Sequence, residues 1–393
     1  MNSKERREAR YQRRKAKRLA HRLAVAEEHK DIEELFSFES LYDSYMLCKR
    51  NTNWKASVQR YGLRLVDKLV HLVDACCNLS YYSPGFYCFD VNERGKLRHI
   101  KSVCIEERVV QKSLTRKCLI PVLSRTLIYD NGATLKHRGI HHQLERLYVH
   151  LQRHYRTYGN FGFIYLFDFT NYFGSIPTNA LVNDIRDYII FDNVMHYVEK
   201  FIFAFGEVGI GLGSEISQIS AVFYPNPIDH YIKDQMRIKG FGRFMDDGYI
   251  ICHSKKYLKQ VIQGLKLRCK KLGIKLNEKK SRMQKLSKQF TFLKTRIRLA
   301  DTGKIIKRVV KSTITRERRR LKKYHKLYKN GLMTYEQIEM AYKSWKGSIK
   351  KRGLVYRSIQ RLDRLFNQLF IEPFIRGYDY FPYRQDCLYG YFY

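Results

Sequence analysis

Phe241-Gly-Arg-Phe-Met-Asp-Asp-Gly-Tyr-Ile-Ile-Cys252 sets two adjacent carboxylates, Asp246 and Asp247, between short apolar runs, with Gly248 directly behind them. Asp and Gly supply turn geometry and the flanks supply β-favouring side chains, so the stretch predicts strand, tight turn, strand. Side-by-side aspartates in a plain hairpin repel one another and gain little. At a hairpin tip, beside a third carboxylate, they can hold divalent metal ions. Taken alone, a solvated Asp-Asp-Gly turn is the better explanation, and the surrounding chain has to decide.

The chain of 393 residues, 44% of them hydrophobic, is long enough for a sizeable core and two or three subdomains. Seventy-five Lys and Arg against thirty-seven Asp and Glu leave a net charge of +38. Self-repulsion on that scale calls for a polyanion partner, with nucleic acid ahead of an anionic membrane surface. Thirty Tyr and twenty-three Phe suit stacking on bases as well as core packing. Nine scattered cysteines without a Cys-x-x-Cys pair argue against a zinc ribbon or a disulfide framework and for a reducing compartment. No apolar run approaches the roughly 18–20 residues of a membrane span, and no signal-peptide core opens the chain. These features predict a cytoplasmic protein with no membrane partner.

Residues 1–30 are basic and lack Pro and Gly, which predicts a surface helix that binds phosphates, or a tail that merely solubilises. Apolar spacing predicts helices over Trp54–Asn78, Ile105–Leu127 (with Pro121 as a weak point), about Gly139–Tyr158, Pro177–Phe205, about Ser217–Met236 and 255–272. Phe86–Val91 reads as a strand and Arg94-Gly-Lys96 as part of a hairpin. Residues 303–330 and 343–357 read as an all-helical, strongly basic C-terminal region, and Tyr378–Tyr393 as an aromatic tail.

Gly162-Phe-Ile-Tyr-Leu-Phe-Asp168 reads as a buried central strand closed by a carboxylate. Burying that Asp is costly unless it is paired or coordinates a metal. In isolation it is better read as a turn or helix-capping Asp. A glycine loop opening a helix follows, Val208-Gly-Ile-Gly-Leu-Gly-Ser214 with Ser217 and Gln218, and then the Asp-Asp hairpin. Strand-Asp, Gly-Ser loop and Asp-Asp hairpin in that order are far more specific than any one of them.

In this order the chain resembles a reverse transcriptase over about residues 80–350. Leu166-Phe-Asp-Phe-Thr-Asn-Tyr-Phe173 resembles the first catalytic motif, residues 209–218 the Gly-rich motif, and Phe244-Met-Asp-Asp247 the aromatic-x-Asp-Asp box. Leu272–Ser281 and Phe292-Leu293-Lys294 resemble the later palm motif and the primer grip, while Arg98-His-Ile and Glu106–Gln111 resemble fingers motifs. The resemblance implies an α+β right-hand polymerase with fingers, a palm built on an antiparallel sheet, and a helical thumb. It places a basic extension at 1–50, fingers and palm at 51–300, and thumb and tail at 301–393. It implies an RNA-directed DNA polymerase using two Mg²⁺ ions, or Mn²⁺, with Asp168 and Asp246 as principal ligands and Asp247 and the Phe169 carbonyl assisting. Lys96, Arg98, Phe173, Gly213, Ser214, Gln218 and Lys280 are its candidate nucleotide contacts, with Phe173 excluding a ribose 2′-OH or serving as ordinary core. Phe292, Leu293, Lys294, Arg316, Arg319, Arg320 and Lys323 are its candidate primer and template contacts. The implied partners are an RNA template, the RNA–DNA hybrid and dNTPs, with an accessory protein or a second copy of the chain also open.

Gly211-Leu212 stands where many relatives have Pro-Gln, and Lys294 replaces the usual Gly of the primer grip. The aliphatic Leu212 at the Gln position, with Ser217-Gln218, Ala221 and Ile228-Asp229-His230, resembles diversity-generating retroelement enzymes and neighbouring bacterial lineages, which implies relaxed fidelity. Retron and stand-alone phage-defence enzymes stay open, whereas no room is left for an integrase or RNase H domain. Two other readings stand beside this one: a template-independent or protein-primed nucleotidyl transferase, and a basic RNA-binding scaffold with a vestigial site.

Overall fold

The computed structural model describes residues 3–93, 95–353 and 355–372. The Tyr378–Tyr393 tail and the Arg94 tip of the first hairpin lie outside the described residues, as does the side chain of Lys96. Two compact units emerge. One gathers the described residues up to Gly139 with Leu166–Ile250 and Lys256–Arg282; the other gathers Ile140–Tyr165, Ile251–Lys255 and the described residues from Met283 onward.

The first unit opens on the helix Ser3–Glu27, followed by Ile32–Leu35 and Phe38–Lys49. Ser37 caps the last of these, its side chain accepting from the Ser40 N–H. The single helix expected over Trp54–Asn78 is two, Ala56–Leu63 and Leu65–Cys77, because Arg64 leaves helical space at φ −120° and ψ 36°. Strands β1 (Phe86–Glu93) and β2 (Lys96–Val103) pair antiparallel, from Phe86 opposite Val103 to Glu93 opposite Lys96.

Prolines interrupt two other expected helices. Ile105–Leu114 passes through a π-helical turn at Thr115–Leu119 before Ile120–Ser124. Pro121 has no N–H to give, so the regular ladder cannot continue through it. The stretch expected over Ser217–Met236 becomes Glu215–Phe223, Asn226–His230 and a second π turn at Tyr231–Gln235, broken around Pro225 and Pro227. Pro177–Phe205 likewise divides into Thr178–Arg186 and Asp192–Phe203.

Strands β3 (Phe163–Phe167), β4 (Gly240–Phe244), β5 (Asp247–Cys252) and β6 (Arg282–Lys285) form a four-stranded sheet of order β4-β5-β3-β6. The predicted Asp-Asp hairpin is thus β4–β5, and the Asp168 strand is its inner neighbour. Phe167, Phe241, Tyr249 and Ile250 from these strands are buried, as their near-continuous apolar runs require.

The second unit contains the helix Ile140–Tyr158 and a three-stranded sheet of order β7-β8-β9: β7 (Phe290–Phe292), β8 (Thr295–Leu299) and β9 (Ile305–Val309). The expectation of helix from residue 303 fails at β9. Its β-branched Ile305, Ile306 and Val309 pair with β8 instead, Arg298 opposite Ile306. Helices Lys311–Lys329, Tyr335–Lys350 and Tyr356–Phe370 follow, packed on Leu321, Ile338, Tyr342, Leu362, Phe366 and Phe370. A capping box of Thr334 and Gln337 starts the second of them.

Candidate active site

Asp168 follows directly on β3, 7% exposed, and neighbouring segments hold its backbone. Its carbonyl accepts from the Asn277 N–H at 2.7 Å, and Thr170 N–H donates to Lys275 O at 2.7 Å. Phe169 N–H donates to the carbonyl of Asp246 at 3.2 Å. The first motif therefore lies between the Asp-Asp turn on one side and residues 275–277 on the other, bound to each through main chain.

The Asp168 carboxylate has its own partners. Lys280 Nζ donates to Oδ2 at 2.7 Å and Asn277 Nδ2 to Oδ1 at 3.3 Å. The Lys280 pKa is pushed up, first by that hydrogen bond and, against partial desolvation, by the charges of Asp168, Asp247 and Asp246. The contact itself is with Asp168, which Lys280 meets at 2.7 Å. Among the described residues, no three His, Cys, Asp or Glu side chains are gathered closely enough to bind a metal ion. The donor chemistry of the three aspartates nonetheless fits a hard divalent ion, for which carboxylate oxygens are the preferred ligands. A cationic group, the Lys280 ammonium, already stands against the Asp168 carboxylate.

The glycine loop is fastened to the same framework. Ile210 N–H donates to Phe173 O at 2.8 Å and Gly209 N–H to Ile176 O at 2.7 Å. Phe173 is half-buried, its ring edge-on to buried Tyr172 at 5.8 Å. Gly213 is exposed, with a left-handed φ of 113°, and lies close to the main chain of β2. Gln218 is exposed on the helix that follows. Ser214 points inward: its Oγ donates to Gln111 Oε1 at 2.5 Å and is buried. Gln111 Nε2 donates to Glu107 Oε1 at 2.8 Å, and Ser83 Oγ to Glu107 Oε2 at 2.5 Å. The fingers-like Glu106–Gln111 segment thus enters a buried polar chain that ends on the Gly-Ser loop. Arg98 lies half-buried in β2 opposite Val91.

In the second unit, Leu293 and Lys294 form the two-residue turn between β7 and β8, both left-handed at φ 43° and 60°. Such a turn favours Asn-Gly, so the Leu-Lys pair carries strain there. Phe292 is buried. Arg316, Arg319 and Lys323 form an exposed row at i, i+3, i+7 on the helix Lys311–Lys329. Arg320 instead turns inward to buried Glu317, at 2.7 Å.

Sequence reasoning missed the contacts of Asn277 and the buried pair of Arg243 with Asp229. Asn277 carries no recognisable signal. Arg243 does: an arginine inside an apolar strand must be paired if it is buried.

Residues 90–297 match the family profile described as reverse transcriptase (RNA-dependent DNA polymerase). This chain belongs to the reverse transcriptase family. Its fold is the α+β right-hand polymerase class, helices combined with antiparallel sheet. A search of curated proteins returns no match. Among solved structures, the reverse transcriptase is similar to apo telomerase from Candida tropicalis at 13% identity and TM-score 0.47, covering 73% of this chain and 59% of that one. The same telomerase truncated from its C-terminal domain gives 13% and 0.43, covering 57% and 55%. Candida albicans telomerase, in complex with a fragment of telomeric RNA, gives 13% and 0.43, covering 71% and 57%. This chain therefore spans little more than half the length of these structures. Among the described residues, no helix is long and apolar enough to cross a membrane.

Proposed function

We propose that this reverse transcriptase copies a cognate RNA into DNA, with the reacting groups gathered on Asp168, Asp246 and Asp247. The observation that carries the reading is the Phe169–Asp246 main-chain bond, which joins the Asp168 segment to the Asp-Asp turn, beside the 2.7 Å Lys280–Asp168 pair. Asp168 and Asp246 would be the principal ligands of Mg²⁺ or Mn²⁺, with Asp247 and the Phe169 carbonyl assisting. Bound there, two such ions supply Lewis-acid stabilisation of the attacking and leaving oxygens of phosphoryl transfer.

The chain's own residues supply the rest. Lys280 keeps its proton and offers positive charge against the phosphoryl group being transferred. The half-buried Phe173 ring narrows the space beside the incoming sugar and selects deoxynucleotides. Arg98, half-buried in β2, contacts the triphosphate together with Lys96 of the same strand, with Gly213 and Gln218 bordering the nucleotide. Ser214 acts through the loop backbone, since its hydroxyl is committed to Gln111. Phe292, Leu293 and Lys294 grip the primer. Arg316, Arg319 and Lys323 track the phosphates of the RNA–DNA hybrid without reading sequence. Fingers and palm occupy 51–300 and the thumb begins at 301. Gly211-Leu212, with Ser217-Gln218, Ala221 and Ile228-Asp229-His230, favours a bacterial or phage retroelement of the diversity-generating kind, or an antiphage system, acting in the cytoplasm with relaxed fidelity.

The test is primer extension on an RNA template with dNTPs and Mg²⁺, comparing wild type with Asp246→Ala plus Asp247→Ala. Loss of extension in a folded double variant supports the assignment. Extension that survives it removes the carboxylates from the chemistry. DNA covalently joined to the protein would favour the protein-primed reading instead.

A further inference from the structure

Arg243 is the bulkiest fully buried side chain among the described residues, 0% exposed in the apolar strand β4. Its guanidinium forks onto Asp229, also 0% exposed, with Nε at 2.8 Å from Oδ1 and Nη2 at 2.7 Å from Oδ2. Nη2 donates further to Val222 O at 2.8 Å. The main chain of Arg243 is gripped as well: its N–H donates to Asp130 O at 3.2 Å, and its carbonyl accepts from Gly132 N–H at 3.0 Å. A buried ion pair of this kind is poor evidence for stability, because apolar side chains of similar volume serve as well. Its presence calls for another reason.

One bond leaves the pair and supplies that reason. Arg243 Nη1 donates to Met245 O at 2.9 Å. Met245 is left-handed at φ 54°, a strained conformation for this side chain, and the next residue is Asp246. The Asp246 carbonyl in turn accepts from Phe169 N–H at 3.2 Å. Two successive carbonyls of the turn are thus held, one by the buried guanidinium and one by the Asp168 segment.

We propose that the Arg243–Asp229 pair is a positioning device that holds Met245 in its left-handed conformation and thereby sets where Asp246 and Asp247 stand relative to Asp168. The inference rests on reading those carboxylates as the reacting site. Arg243 and Asp229 touch neither substrate nor metal; they act through the turn. Asp229 fixes the plane of the guanidinium, so that Nη1 meets Met245 O, and Val222 O accepts the second hydrogen of Nη2.

The decisive variant is Arg243→Met with Asp229→Leu, which replaces the pair by apolar side chains and leaves no unpaired buried charge. It should melt near wild type, yet its kcat for primer extension should fall at least tenfold, with the KM for dNTP changed by less than about threefold. Amide exchange at residues 245–248 should speed up by about tenfold or more in the protein alone. Arg243→Lys provides a second variant that keeps the charge beside Asp229. A single ammonium cannot reach Asp229, Val222 O and Met245 O together, so it too should lose kcat while folding. Wild-type kcat and wild-type exchange in either folded variant would overturn the proposal. Should the wild type itself fail to extend primers, the functional reading fails, while exchange at 245–248 still decides whether the pair holds the turn.

Discussion

Adding one methyl group at Gly248 should disturb both halves of the site at once. A Cβ built there would lie 2.2 Å from Phe167 Cζ, 2.5 Å from Cε1 and 2.8 Å from Cε2. Ordinary carbon contacts are about 3.5–4.0 Å, so the ring or the strands must move by about 1 Å. The ring has little room to retreat, being 2% exposed and packed against Phe169 at 5.7 Å. Phe167 immediately precedes Asp168 and Gly248 immediately follows Asp247, so relief comes from separating the segments that carry the carboxylates. Overpacking of this kind costs about 1–3 kcal/mol. At about 2–4 °C per kcal/mol for a unit of this size, Gly248→Ala should lower Tm by several degrees. A displacement near 1 Å should cut kcat by about a hundredfold. Thermal melts and single-turnover extension measure the two effects, and Phe167→Leu in the same chain should restore part of each by making space. Gly248→Ala with unchanged Tm and unchanged kcat would refute the argument that close approach of these strands sets the carboxylates.

Three further outcomes follow from the same geometry. Burial pushes the Glu107 carboxyl up, against its hydrogen bonds from Ser83 and Gln111 and the nearby Lys200 charge. A raised carboxyl costs folding free energy once ionised, so that cost is absent below the ordinary carboxylate range and grows as pH rises through it towards the raised value. Glu107→Gln should therefore gain in Tm over wild type between about pH 4 and pH 7 and show no such gain below, as melts across that range will report. Lys280→Gln removes the 2.7 Å bond to Asp168 from a side chain 63% exposed, so stability should change by less than about 1 kcal/mol while single-turnover rates fall about a hundredfold. On the helix Ser3–Glu27, replacing the exposed Arg10, Arg13, Arg14, Lys17 and Arg18 by Gln should flatten the salt dependence of RNA binding by about 0.7 for each phosphate the helix ceases to neutralise, with Tm held because like charges at i, i+4 are relieved.

The Asp-Asp hairpin and the Asp168 strand were legible because both rest on local pattern: a turn pair between apolar runs, and a near-continuous apolar run closed by one carboxylate. What joins them was not legible. The Asp168–Lys280 and Ser214–Gln111 bonds span 112 and 103 residues, and nothing in either segment names its partner. Ser214 shows the consequence. Its motif implies a nucleotide contact, while its hydroxyl faces the interior. Helix ends were misplaced at Pro121, Pro225 and Pro227, where missing N–H donors break ladders that apolar spacing alone would continue. β9 was read as helix because its charged neighbours Lys304, Lys307 and Arg308 masked a short β-branched run whose partner, β8, is five residues away. Arg243 was in plain view within the stretch that decides the fold, and its meaning depended on an Asp fourteen residues earlier.

The most direct test of the account is to supply the wild-type chain with an RNA template of defined sequence, an annealed primer, all four dNTPs and Mg²⁺, and to sequence the product. The account predicts DNA complementary to that RNA, abolished when Asp246 and Asp247 are both replaced by Ala in protein that remains folded. Product unrelated to the template, or none with either Mg²⁺ or Mn²⁺ from protein that binds the template, would contradict it.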